Sequence, residues 1–119
     1  LLLSSAASDV YKRQSIDHAE MLALKTAMTR LDNERLNGCS MITTLEPCPM
    51  CAQAISFARL SSIIFTAEDE KSGGVVNGPL IYNSSSCHHK PSIIRLNDDG
   101  KSKKLLKKFF QNKRKNKRN

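Results

Sequence analysis

Residues 40–51 of the chain read SMITTLEPCPMC. The β-branched and apolar first half predicts a strand over Ser40–Leu45, which Pro47 ends. Pro49 suits the first turn of a helix, because a backbone N–H is not needed there. A second strand is predicted over Ser61–Thr66. Strand, short helix and strand in succession imply a right-handed crossover between two parallel strands.

The segment upstream predicts another helix, which begins with Asp17 as its N-cap and ends by Gly38. The apolar stripe of this helix follows a period of 3.6 residues and is expected to comprise Ala19, Leu22, Ala23, Met28 and Leu31. The helix that follows Pro49 is expected to pack through Ile55 and Phe57.

The downstream half is less regular. Residues 68–91 form a long stretch rich in Gly, Asn and Ser, and loops of this length are uncommon unless they are functional. A short strand is predicted over Ser92–Leu96, followed by a turn over 97–100. Residues 101–115 predict a basic helix whose apolar face comprises Leu105, Leu106, Phe109 and Phe110. Helices that alternate with strands in this order indicate an α/β domain.

The positive charge of the chain is concentrated at its C-terminal end. The length of 119 residues suits a single domain, and the formal net charge is +8. Residues 101–119 hold ten of the 19 Lys and Arg residues and no acidic residue, so the remainder has nine basic and 11 acidic residues, or −2. A basic end of this kind either binds phosphates or is simply solvated. No apolar run approaches the length of a membrane span.

Two short segments contain the residues suited to metal chemistry, DHAE at 17–20 and LEPCPMC at 45–51. A catalytic zinc ion has three protein ligands and an open position for water. Cys48 and Cys51 lie one helical turn apart, so both sulfurs can bind one ion, and a helix N-terminus favours their thiolate forms. His18, at the start of the other helix, is predicted to be the third ligand.

Glu20 is predicted to move protons rather than to bind the metal. A zinc ion lowers the pKa of its bound water, so that hydroxide forms near neutral pH and can attack a carbon that bears an amine. A carboxylate beside the metal must accept the water proton and return protons to the ring nitrogen and the leaving ammonia. A single Glu next to the ligands can perform all of these transfers.

The cysteines also allow two other interpretations. Cys48 and Cys51 are also spaced as a thioredoxin-like redox pair, but that pair would leave His18 and Glu20 unexplained. A closed structural zinc site is the other alternative, and it needs a fourth ligand. The candidates for that ligand are Cys87, His88 and His89.

With these motifs the sequence resembles the tRNA adenosine deaminase branch of the cytidine-deaminase-like superfamily, in which H-x-E is followed by P-C-x-x-C. The resemblance runs from about Ser15 to Phe110 and includes TLEPC at 44–48 and AEDEKSG at 67–73. It implies a three-layer α/β/α fold with a mixed sheet and a Zn²⁺ cofactor. It also implies a cytoplasmic homodimer that converts the wobble adenosine of a tRNA anticodon loop to inosine.

The resemblance further implies a set of site residues. The metal ligands are His18, Cys48 and Cys51, the catalytic residue is Glu20, and the substrate contacts are Ala19, Pro47, Asp69 and Lys71. Without the resemblance, the segment around Asp69 would be interpreted as a solvated turn. The basic end fits an RNA substrate through phosphate contacts, and a target base must leave its stack to reach a buried zinc ion.

Residues 1–14 are expected to be non-native, because DVYKRQ at 9–14 is encoded by one reading frame of a transposon-type sequencing adaptor. The deaminase domain is then expected over 15–110, with a basic and disordered tail over 111–119. Relative to the family, the N-terminal helix and β-hairpin are expected to be missing, which would expose a sheet edge beside the active site. We therefore expect the chain to be poorly stable and weakly active.

Three alternative functions remain from the sequence. The first is deamination of a free base or nucleoside, such as guanine, cytosine or cytidine. The second is a non-catalytic RNA-binding role, against which Glu20 argues, since an inactive subunit does not need a proton shuttle. The third is a structural zinc module, which would bind zinc but tolerate Glu20→Ala.

Overall fold

Residues 2–4, 18–101, 104 and 107–108 are described by the computed structural model of the chain. The elements in chain order are β1 (Leu2–Ser4), α1 (Ala19–Leu31), β2 (Ser40–Leu45), α2 (Pro49–Phe57), β3 (Ser62–Ala67), a short 3₁₀ helix (Ile81–Asn83) and β4 (Ser92–Arg95). The predicted bounds of β2 are confirmed, and those of β3 are displaced by one residue. The long connection between β3 and β4 is irregular apart from the 3₁₀ helix, as predicted.

The described strands form one sheet in the order β1-β2-β3-β4, and each neighbouring pair is parallel. The predicted α/β class and the parallel pairing of β2 with β3 are therefore confirmed. The expectation of a mixed sheet is not met by the described strands. The reason is that α1 connects β1 to β2 and α2 connects β2 to β3, and a crossover through a helix joins parallel strands.

The buried residues of both helices share one core with the inner face of the sheet. Leu24 of α1 and Ile55 of α2 belong to the same cluster as Met41 of β2 and Phe65 of β3. Since right-handed crossovers along this strand order keep α1 and α2 on the same side, one face of the sheet is covered by both helices. The opposite face of β2 and β3 is only half-buried or exposed.

Two packing predictions for the helices are wrong. Leu31, expected in the apolar stripe of α1, is 47% exposed, whereas Leu24 and Ala27 are buried. Phe57, expected in the core, is 71% exposed, although Ile55 is fully buried as predicted. Phe57 lies two residues, or about 200° of rotation, from the buried Ile55, so the two side chains are on opposite sides of α2. Leu31 is the last residue of α1. The N-cap of α1 is His18, and the predicted cap Asp17 lies outside the described residues.

Several predictions extend beyond the described part of the chain. The expected second layer of helices depends on the helix predicted over 101–115, of which residues 101, 104, 107 and 108 are described and helical. The boundaries expected at 14/15 and 110/111 also stay predictions, and β1 falls within the segment expected to be non-native. Among the described residues, no helix has the length and apolar character needed to cross a bilayer.

Candidate metal centre

The candidate site lies at the carboxyl edge of the parallel strands. Leu45 of β2 pairs with Ala67 of β3, and the amide of Glu46 continues the ladder by donating to the Ala67 carbonyl at 2.8 Å. Because both strands end at this edge, the segment after β2 and the loop after β3 emerge side by side. The N-terminus of α2 begins there at Pro49.

Three side chains converge at this edge with the spacing of metal ligands. His18 Nδ1 lies 3.3 Å from Cys48 Sγ and 3.4 Å from Cys51 Sγ. All three ligand atoms lie within 4.8 Å of one another. Cys51 is fully buried, whereas His18 and Cys48 are half-buried, so the centre opens to solvent on one side.

The helix starts explain why these side chains are available. His18 is the N-cap of α1 and Cys48 is the N-cap of α2, and both have extended backbone with no side-chain hydrogen bond to the helix. An N-cap side chain that does not cap its own helix is free to bind another group. The two helix N-termini therefore present an imidazole and a sulfur to the same point.

The electrostatics of the site suit a cation. Burial raises the pKa of the Cys51 thiol above its ordinary value, and the negative charges of Glu20 and Cys48 raise it further. Two thiolates and a carboxylate this close repel one another unless a positive ion lies between them. One nitrogen and two sulfur donors within bonding reach of one point therefore fit a transition-metal ion.

Glu20 lies beside the three ligands without belonging to them. Glu20 Oε2 is 3.8 Å from Cys51 Sγ, and Glu20 Oε1 is 3.5 Å from the hydroxyl of Thr43. The same hydroxyl donates to the Leu45 carbonyl at 3.0 Å. Thr43 is buried on β2, and sequence reasoning used it only as a strand residue, since a threonine in a strand has no separate chemical signal.

The four predicted substrate contacts lie in different surroundings. Ala19 and Pro47 are buried in the helix start and in the turn before Cys48. Asp69 and Lys71 lie in the loop after β3, and Lys71 is exposed. Asp69 Oδ1 accepts from the amides of Lys71 at 3.2 Å and Ser72 at 2.9 Å, so this carboxylate also stabilises its own turn. The substrate role of all four residues stays a prediction.

Sequence reasoning missed Glu46, which is 2% exposed and accepts five hydrogen bonds from the loop after β3. Burial alone raises the pKa of this carboxyl, but the donors of that loop, with the Asn77 side chain foremost, outweigh burial and hold it below its ordinary value. The sequence did contain a signal for this role, because Glu46 lies between a predicted strand and the Cys-Pro-x-Cys turn. A charged residue at such a buried position needs hydrogen-bond partners.

The alternative closed site does not form within residues 18–101. The group of potential metal ligands there contains His18, Cys48 and Cys51, without the three candidates for a fourth ligand. Those candidates are Cys87, His88 and His89. His89 Nε2 lies 2.6 Å from the Leu60 carbonyl, and Cys87 Sγ lies 3.4 Å from the buried Ser56 hydroxyl. Cys87 and His89 instead anchor the end of the long loop to α2 and to the turn that follows it.

Comparisons with known proteins agree with this geometry. A family model described as MafB19-like deaminase matches residues 5–114. The tRNA-specific adenosine deaminase of Agrobacterium fabrum is 40% identical over 97 residues, which cover 82% of this chain and 64% of that relative. The enzyme of the same name from Rickettsia typhi is 37% identical over 111 residues, covering 93% and 75%. The chain thus spans less than two thirds of the Agrobacterium relative.

A solved structure is also similar. It comes from a study of A-to-I editing by tRNA deaminases at the wobble position of transfer RNA. It superposes with a TM-score of 0.71 at 39% identity, covering 74% of this chain and 64% of that chain. At this level of identity the likeness extends to sequence as well as to fold.

The ligand geometry predicts that metal binding depends on Cys51 and not on Cys87, although both are buried. We expect Cys51→Ser to lose the divalent metal that the parent chain retains after equilibration with Zn²⁺ and gel filtration, because a serine hydroxyl is a poor substitute for a thiolate. Elemental analysis measures the bound metal. Cys87→Ser is the matched control and should bind as much metal as the parent. Metal retained by the Cys51 variant, or lost from the Cys87 variant, would place the ligands elsewhere.

Proposed function

Because the chain belongs to the MafB19-like deaminase family, we propose that it is a zinc-dependent hydrolytic deaminase that converts the wobble adenosine of tRNA to inosine. The observation that carries this proposal is the convergence of His18 with Cys48 and Cys51, together with a carboxylate, Glu20, placed beside them. The names of the similar proteins from Agrobacterium fabrum and Rickettsia typhi support adenosine in tRNA as the substrate.

Zinc is the metal that best suits this ligand set. A mixed set of imidazole and thiolate donors favours Zn²⁺, and three protein ligands with an open position are typical of catalytic rather than structural zinc sites. When bound, the ion supplies a Lewis acid that makes water a competent nucleophile near neutral pH. His18, Cys48 and Cys51 would hold it.

Glu20 is the residue to which we assign the proton transfers. Hydrolytic deamination adds water to the carbon that bears the exocyclic amine and releases ammonia. The carboxylate of Glu20 accepts one proton of the attacking water and delivers it to the ring nitrogen as the C–O bond forms. It then accepts the remaining proton of the added hydroxyl and delivers it to the amine, which leaves as ammonia when the C–N bond breaks. The Thr43 hydroxyl has one proton, which it donates either to the Leu45 carbonyl at 3.0 Å or to Glu20 Oε1 at 3.5 Å, so it restrains that carboxylate only weakly.

The loop after β3 and the basic C-terminal end would contact the RNA. By resemblance, Asp69 and Lys71 border the base that enters the site, with Ala19 and Pro47 lining its inner side. Residues 101–119 carry ten positive charges and no negative charge, which suits phosphate contacts. An anticodon loop is a suitable substrate because its bases are unpaired, so a base leaves its stack at little cost. A cytoplasmic location is part of the same proposal, since tRNA is modified there.

We also propose that the chain acts as a homodimer. Phe57 is 71% exposed and Met50 is 37% exposed, and both lie on α2 two helical turns apart. Large apolar side chains grouped on one exposed helix face are typical of an interaction surface. This face belongs to the helix that carries Cys51, so a second copy bound here would lie close to the metal centre.

Sedimentation equilibrium tests the homodimer. We expect a mass twice that of one chain for the parent, and the mass of one chain for Phe57→Glu, because a charge would be buried without a partner in the interface. Leu31→Glu is the control, since Leu31 is an exposed apolar residue (47%) that belongs to α1 rather than to α2. A monomeric parent would contradict the proposal, and so would a dimer that survives Phe57→Glu.

A deamination assay on the zinc-loaded chain tests the proposed reaction. The substrate is an anticodon stem-loop with adenosine at the wobble position, and the protein is in excess so that a slow turnover is still detected. We expect inosine from the parent, and a rate lower by about 10²–10⁴ for Glu20→Gln, because that is the usual contribution of a general acid–base residue. Glu34→Gln, which removes an exposed charge after α1, should leave the rate unchanged.

The same assay separates the alternative functions. Ammonia released from guanine, cytosine or cytidine, with no inosine in the stem-loop, would replace the RNA substrate by a free base or nucleoside. A zinc-loaded chain that binds the stem-loop without reacting would contradict catalysis and leave a binding role. Equal rates for the parent and Glu20→Gln would remove Glu20 from the mechanism.

A further inference from the structure

Glu46 lies between the metal ligands and the loop after β3, and its partners belong to that loop. Its Oε2 accepts from three successive backbone amides, those of Val75 at 3.0 Å, Val76 at 3.0 Å and Asn77 at 3.1 Å. Successive amides that point at one position form a nest, which usually binds an anion. Here the anion is a carboxylate of the chain itself.

The second oxygen of Glu46 accepts from a different set of donors. Oε1 accepts from the Asn77 side-chain amide at 2.7 Å and from the backbone amide of Asp69 at 3.1 Å. Asp69 lies near the start of the loop and Val75 to Asn77 follow within its first half, so a single carboxylate ties together two separate segments of the loop. Glu46 is joined to the ligand Cys48 through Pro47 alone, so the loop is fixed relative to the metal centre.

The packing around Glu46 leaves no room for a side chain at positions 73 and 74. A side chain at Gly73 would clash with the Glu46 carboxylate, and one at Gly74 would come within 2.5 Å of the Pro49 backbone. The Gly74 amide also donates to the Pro47 carbonyl at 2.9 Å. The loop therefore lies directly against the turn that presents Cys48.

We propose that Glu46 is a positioning residue that holds Asp69 in place beside the metal centre and thereby sets the affinity for the substrate. The proposal rests on the proposed function in one respect, that Asp69 borders the substrate. Glu46 itself is buried, and its carboxylate accepts its hydrogen bonds from the loop after β3. Its loss should weaken substrate binding more than it slows the chemical step.

The substitution Glu46→Gln distinguishes the roles of the two carboxylate oxygens, because it replaces one of them by an NH₂ group. A glutamine has one oxygen that accepts and one NH₂ that only donates. The oxygen is best placed in the nest, where three amides converge, which puts the NH₂ in the position of Oε1. Asn77 can turn its side-chain amide and accept from that NH₂, but the backbone N–H of Asp69 cannot. Asp69 is therefore the group that loses its partner.

Steady-state kinetics on the anticodon stem-loop test the proposal. We expect KM to rise by about tenfold in Glu46→Gln, the usual effect of losing a hydrogen bond to a charged group, with kcat within about twofold of the parent. Bound zinc, measured by elemental analysis, should not change. Asn77→Ala is the matched control, because it removes another hydrogen bond to Oε1 but leaves that of Asp69, and its KM should stay within about twofold of the parent.

Amide hydrogen exchange gives a readout that does not depend on activity. In the parent, the amides of Asp69 and of Val75 to Asn77 should exchange slowly although they lie outside helices and strands, and in Glu46→Gln the Asp69 amide should exchange faster.

Rapid exchange of these amides in the parent would overturn the proposal even if the variant failed to fold. So would a fall in kcat with unchanged KM, or equal effects of Glu46→Gln and Asn77→Ala. A parent that makes no inosine would instead refute the proposed function, and exchange would still decide whether Glu46 holds the loop.

Discussion

The candidate site depends on the parallel pairing of β2 with β3. Parallel strands end at the same edge of a sheet, so the residues that follow them are brought together whatever their separation in sequence. Here the pairing of Leu45 with Ala67 places the turn of Cys48 next to the loop that begins at Asp69. A slip of one residue in this pairing would turn Met41 and Thr43 away from the core and separate the two segments.

Charge is the second constraint on this edge. Glu46 immediately precedes the turn that contains Cys48, and Glu20 lies 3.8 Å from the sulfur of Cys51. The two carboxylates have different hydrogen-bond partners. Glu46 is surrounded by amide donors, which makes it a fixed part of the scaffold. Glu20 has one weakly placed hydroxyl, that of Thr43 at 3.5 Å, so its carboxylate remains available for proton transfer. Two acids at one site therefore differ in role because their hydrogen-bond partners differ.

Much of this arrangement could be predicted from the sequence because its signals are local. The β-branched and apolar residues of Ser40–Leu45 indicated the strand, and the prolines at 47 and 49 marked the change from strand to helix. The spacing of His18, Cys48 and Cys51 identified the ligand group, since few other functions need that combination. The parallel pair followed from the order of elements alone.

The remaining features depend on tertiary contacts that no local pattern contains. Phe57 is apolar, but the side of α2 that the sheet covers is set by tertiary packing. Ile55 faces the core, and Phe57, two residues further on, lies on the opposite side of the helix and is 71% exposed. The partners of Glu46 come from residues 69–77, and a glutamate in sequence does not reveal which amides will surround it. The orientation of β1 depends on the connection through α1, which the expectation of a mixed sheet did not take into account.

The central claim is that one imidazole and two thiolates hold a metal that keeps a position open for water. Zinc K-edge X-ray absorption on the loaded chain tests this most directly. The account predicts two sulfur neighbours at about 2.3 Å, with nitrogen and oxygen neighbours at about 2.0–2.1 Å completing the shell. A shell of three or four sulfurs, or one of nitrogen and oxygen alone, would contradict it.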